Sequence, residues 1–119
     1  MAEYVVHIVE SEWDPSSYTA EEFKSVGDQH RAFAAAVEEA GGKILASAAL
    51  QPSSTAVRIQ PGTDDGPVFT DGPFPELKEL VTGYYHLELP DEATARRIAA
   101  LCPSAGRLEL WPVFDTSGM

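Results

Sequence analysis

At 119 residues the chain has room for one domain, residues 1–119, and a composition 44% hydrophobic and 23% charged excludes disordered and fibrous classes. Eight Lys and Arg stand against 19 Asp and Glu, and the net charge of -11 argues against a surface that tracks nucleic-acid phosphates or an anionic membrane, while leaving a cationic ligand compatible. The single Cys102 excludes an internal disulfide framework and a multi-cysteine zinc site; with no long apolar run and no basic, then apolar, leader at the N-terminus, the expectation is a soluble cytoplasmic protein.

Residues 3–10 are β-branched and apolar on both faces, which predicts a central strand. Asp14-Pro15-Ser16-Ser17 is a turn cluster. Thr19 followed by Glu21 and Glu22 then caps a helix whose Phe23, Val26, His30, Phe33, Val37 and Ala40 recur at three and four residues, ending at Gly41-Gly42. Strands are predicted over 43–50 and 55–60. Pro61 to Gly66 turns the chain into a short returning strand over 67–70, so the two form a hairpin. Pro75 is placed to open a short helix through Leu80, and 81–89 reads as a further strand. Asp91 caps a second helix to about Leu101, and 107–113 is the last strand.

This order matches an α+β fold with a ferredoxin-like antiparallel sheet, two helices on one face and an inserted β-hairpin. Two helices cover one face only. Alternation puts Gly83, Tyr85, Leu87 and Leu89 on one side and Thr82, Tyr84, His86 and Glu88 on the other, with Trp111 and Val113 opposite Leu108 and Leu110. The second face is too apolar for full exposure, and suits a homodimer contact or a cleft; Arg58, Lys43 or loops lying over it are the alternative.

Two residues stand out for chemistry. Asp71 lies in Thr70-Asp71-Gly72-Pro73-Phe74, where Gly72 and Pro73 fix the turn, and its carboxylate is either a site group or a cap on its own turn. His30 lies on the apolar stripe and faces the sheet, either as a satisfied core histidine or as an acid/base imidazole. A nearby carboxylate would favour the second reading, and Asp71 is the candidate, the pair meeting at the mouth of a pocket between the sheet and the first helix. Nothing implies a metal or other cofactor. His7, His30 and His86 lack ligand spacing, Cys102 before Pro103 reads as a packed thiol, and Gly62, Gly66 and Gly72 make no phosphate loop.

The run Thr70-Asp71-Gly72-Pro73-Phe74 with Glu76, Lys78 and Glu79, then Gly83-Tyr84-Tyr85, Cys102-Pro103 and Glu109-Leu110-Trp111-Pro112-Val113, resembles the YCII-related proteins that carry a DGPF motif. His30, with Phe33 three residues on, is similar to that family's helix histidine. The resemblance implies a dimeric α+β barrel, in which protomers pair through their sheets. It also implies His30 and Asp71 as a catalytic pair, with Arg58, Phe74 and Tyr85 as substrate-binding walls or anchors by position. Pro75 and Leu77 depart from the Ala and Thr frequent in the family, and Leu77 removes a hydroxyl. Two functions stay open: a small enzyme acting on a compact organic substrate, or a noncatalytic binding or regulatory module, with a link to extracytoplasmic-function sigma factors implied by the resemblance alone.

Overall fold

In the computed structural model, which describes residues 1–119, the predicted strands and both long helices form from the signals just read. Strand β1 (Ala2–Glu10) sits inside a four-stranded antiparallel sheet with β2 (Lys43–Ala49), β5 (Leu80–Leu89) and β6 (Arg107–Pro112), in the spatial order β2-β5-β1-β6. A separate two-stranded sheet pairs β3 (Val57–Gln60) with β4 (Val68–Asp71).

Helix α1 (Ala20–Glu39) starts at a capping box, in which the Glu22 amide donates to the Thr19 hydroxyl at 3.1 Å and the Thr19 amide donates to the Glu22 carboxylate at 3.0 Å. It ends where Gly41 takes φ +81°, a left-handed conformation that side chains resist. Helix α2 (Glu92–Ala99) is capped by Asp91, which accepts from the Thr94 amide at 2.7 Å.

The core has one side. Tyr4, Val6 and Ile8 of β1 and Tyr85, Leu87 and Leu89 of β5 meet Phe33 and Val37 of α1 and Ala95, Ile98 and Ala99 of α2 in a single cluster closed by Cys102. Burial pushes the Cys102 thiol up to about 12, as suits a packed thiol and not a thiolate nucleophile. On the opposite face the register lines up Val5 with His86 and Trp111, and His7 with Tyr84 and Glu109. Trp111 is 55% exposed there. No helix is long and apolar enough to cross a membrane.

Two expectations are corrected. Residues 76–80 form no helix: Pro75 biases Phe74 toward extended backbone, five residues are too few to offset helix nucleation, and the segment keeps one turn, Leu77 N–H to Phe74 O at 3.0 Å. The stripe on α1 is only half core. Phe33 and Val37 are buried, but Phe23 and Val26 lie beyond the sheet's packed region and are 45% and 38% exposed.

The β3–β4 hairpin stands off the sheet with Val57, Ile59, Val68 and Phe69 all at least half exposed. The radius of gyration, 16.9 Å, accordingly exceeds the ~13.5 Å of a compact domain of this length.

Candidate functional site

The overhanging first turns of α1 wall a cavity of about 540 Å³, which is of small-molecule size. Its floor is the end of the sheet, Ile8 and Glu10 of β1, Ser47 to Ala49 of β2 and Thr82 to Tyr85 of β5. The segment between β1 and α1 supplies the remaining wall. Asp14 accepts from the Ser16 amide at 2.9 Å and starts a 3-10 turn over Pro15–Ser17, which folds the chain back on itself. Trp13 and Tyr18 thereby meet edge to face at 6.1 Å, and Tyr18 stacks on Phe23 at 5.3 Å.

His30 projects into this cavity from α1. Its Nδ1 lies 2.6 Å from the Tyr85 hydroxyl, and the two rings stack with centroids 5.8 Å apart. Phe33 also packs against the Tyr85 ring, at 4.8 Å, which holds that ring in place. Burial keeps the imidazole below its ordinary value and neutral at pH 7, partly offset by the negative charge of Glu10. Burial likewise raises Tyr85, so the phenol stays protonated. The Tyr85 hydroxyl and the His30 Nε2 make no other hydrogen bond within the protein.

Glu10 enters from the end of β1. Its Oε1 accepts from the Thr82 hydroxyl and its Oε2 from the Ala105 amide, the latter at 2.7 Å. It has no cationic partner, and no Lys or Arg lines the cavity.

The structure therefore brings His30 and Tyr85 together, both named from the sequence, and adds Glu10, Trp13 and Tyr18. Asp71 is elsewhere. It ends β4 opposite Val57, exposed, outside the lining of the cavity, and its carboxylate accepts no hydrogen bond, so it caps no turn either. Arg58 and Phe74 stay near the motif: the Arg58 guanidinium lies 4.2 Å above the Phe74 ring and donates to Glu76 at 2.5 Å.

Gly72 explains the rest of the motif. Its amide donates to Ala56 O at 2.8 Å, and a Cβ at this position would fall 1.9 Å from Ser53 O. Ser53 is in turn tied to Glu12, whose carboxylate accepts from its amide at 3.0 Å and from its hydroxyl, which holds that carboxyl below its ordinary value. Because Glu12 precedes Trp13, the motif is linked through backbone to the aromatic wall.

The sequence offered some signal for the residues it did not single out. Trp13 and Tyr18 bracket the Asp14 turn cluster beside a helix start, and Glu10 is a carboxylate closing an apolar strand. None of the three is distinctive until the turn is folded.

No three His, Cys, Asp or Glu side chains gather into a group that could hold a metal ion. The family model of the YCII-related domain matches residues 3–115. The chain belongs to that family. No curated protein matches this YCII-related chain.

Proposed function

We propose that this YCII-related protein binds a small organic molecule in the cavity under α1 and exchanges a proton with it through His30, which Tyr85 orients. The observation that carries this reading is a neutral imidazole hydrogen-bonded at 2.6 Å to a protonated phenol in an aromatic-walled cavity of about 540 Å³. The pair has two arrangements. With Tyr85 donating to Nδ1, the proton is on Nε2 and His30 is a hydrogen-bond donor to the ligand. With Nδ1–H donating to the phenol oxygen, the phenol proton needs an acceptor on the ligand, and Nε2 is free as a general base. A ligand that accepts from Tyr85 thus turns His30 into the base.

In this reading Asp71, Arg58 and Phe74 brace the base of the hairpin instead of touching substrate. We further propose a ferredoxin-like protomer of the dimeric α+β barrel type, pairing as a homodimer through the face that carries Val5, Tyr84 and Trp111. The strand order β2-β5-β1-β6 and the exposed Trp111 support it.

A thermal-shift screen of small organic molecules against wild type and His30→Gln tests the site. Hits that stabilise wild type and lose their effect in the variant support it, and hits indifferent to His30 refute it. NMR of each hit over time then separates an enzyme, which converts it, from a binding module, which leaves it unchanged.

A further inference from the structure

Resting on the reading of the cavity as a small-molecule site, we propose that its ligand is an organic ammonium ion with an apolar body, its charged group held by Glu10. Glu10 is the one carboxylate in the lining, and no Lys or Arg is present there to pair with it. Its carboxylate stands in a mostly apolar lining with no counter-charge from the protein, and a cationic ligand supplies that charge. Two of its acceptor positions are taken by Thr82 and Ala105, which fix the carboxylate; the remaining lone pairs are open to an ammonium N–H.

The aromatic wall makes the same selection independently. Trp13, Tyr18 and Phe23 line the cavity as a continuous contact series, an aromatic surface that suits a cation and its apolar body. An anionic ligand would meet the opposite: one fixed negative charge, no positive one, and a chain whose net charge of -11 lowers anion concentration at its surface.

The probes are three molecules of nearly the same shape: 2-phenylethylammonium, 2-phenylethanol and 3-phenylpropanoate, each titrated calorimetrically into the full-length protein at pH 7 and low salt. The ammonium is expected to bind at least about tenfold more tightly than the alcohol, and the carboxylate most weakly. Glu10→Gln, which keeps an acceptor for Thr82 or Ala105, is expected to reduce the ammonium preference below about threefold and leave the alcohol's affinity unchanged. Alcohol or carboxylate binding as tightly as the ammonium overturns the proposal, as does an ammonium preference that survives in a folded Glu10→Gln protein. If that variant does not fold, the ranking on wild type decides alone. Preferential binding of the carboxylate against His30 would leave the small-molecule reading standing while removing this one; no binding by any of the three, with His30 resonances unmoved, removes both.

Discussion

Gly72→Ala is the sharpest perturbation of the DGPF motif, because the structure fixes what the added methyl meets. Its Cβ would fall 1.9 Å from Ser53 O and 2.9 Å from Ser53 C, against an ordinary contact of at least 3.4 Å, so backbone must move by 3.4 - 1.9 = 1.5 Å. The obstacle is main chain, which cannot rotate aside as a side-chain tip can. Overpacking of this kind costs about 2 kcal/mol, and losing the Gly72 amide bond to Ala56 adds about 1 kcal/mol, for a total of ~3 kcal/mol. With an unfolding entropy of ~0.25 kcal/mol/K for a chain of this length, that lowers Tm by about 12 °C. Gly66→Ala is the internal control: its φ is +90° with nothing within 4 Å of a Cβ, so only local strain of about 1 kcal/mol, or ~4 °C, applies. Calorimetry on both variants and hydrogen exchange at the Val57–Gln60 amides read the result. If Gly72→Ala melts no lower than Gly66→Ala and leaves hairpin exchange unchanged, the close-approach explanation of the motif is refuted.

Tyr85→Phe keeps the ring packed against Phe33 and His30 but removes the phenol, so it should cost only ~1 kcal/mol while the His30 tautomer ratio, read from ring 15N shifts, moves; an unchanged ratio would contradict the Tyr85 assignment. His30 should titrate below its ordinary 6.5 by NMR, because burial opposes its charge. The sign follows: the unfolded chain binds this proton more readily, so stability falls as pH drops through the unfolded value near 6.5, and His30→Gln should flatten that part of the pH-stability curve. The proposed homodimer predicts a dimer mass by light scattering, and Trp111→Glu, which should leave the protomer folded since Trp111 is 55% exposed, should shift that mass toward monomer by desolvating a charge at the proposed contact; a wild-type monomer would refute the dimer, and a dimer unaffected by the change would refute this face as its contact.

The framework was legible wherever a local signal and a periodic one agreed. Thr19 with Glu22 marks a helix start, the 3.6-residue stripe marks its direction, and alternation along 83–89 assigns Tyr85 to the helix side of the sheet. The five-residue helix failed because proline punctuation is ambiguous: Pro75 can open a helix or hold an extended stretch, and nothing downstream propagates it. His30 could be placed facing the sheet from helical phase alone, but its partner could not. Helical phase says which way a side chain points, whereas Tyr85 becomes its neighbour only through the β1–β5 and β2–β5 registers, which bring sequence positions 55 apart within 2.6 Å. Asp71 attracted attention for the rigidity of its turn. That rigidity belongs to Gly72, through its approach to Ser53.

The cavity exists because α1 is longer than the sheet beneath it can cover. Phe33 and Val37 are buried by β1 and β5, while Phe23 and Val26, two turns earlier on the same stripe, extend past the strand ends. Exposed apolar side chains on a helix are ordinarily a liability, so the segment before α1 folds Trp13 and Tyr18 back toward them. Filling would have served stability better than a hollow. The Trp13 indole N–H is left buried without an acceptor, a cost that an optimised core would avoid. Glu10 and His30 then stand at the boundary between the packed and the overhanging parts of the helix, where side chains are rigid enough to hold a geometry and open enough to meet a ligand. This location follows from the helix length and the strand ends together. A substitution that fills the space, such as Ala49→Phe at the end of β2, should therefore remove ligand binding at His30 while the protein still folds, since Ala49 is exposed, lines the cavity and pairs with Gly83 on the Tyr85 side of the sheet. Retained binding by that variant, with the His30 resonances still responding to ligand, would place the site outside the overhang.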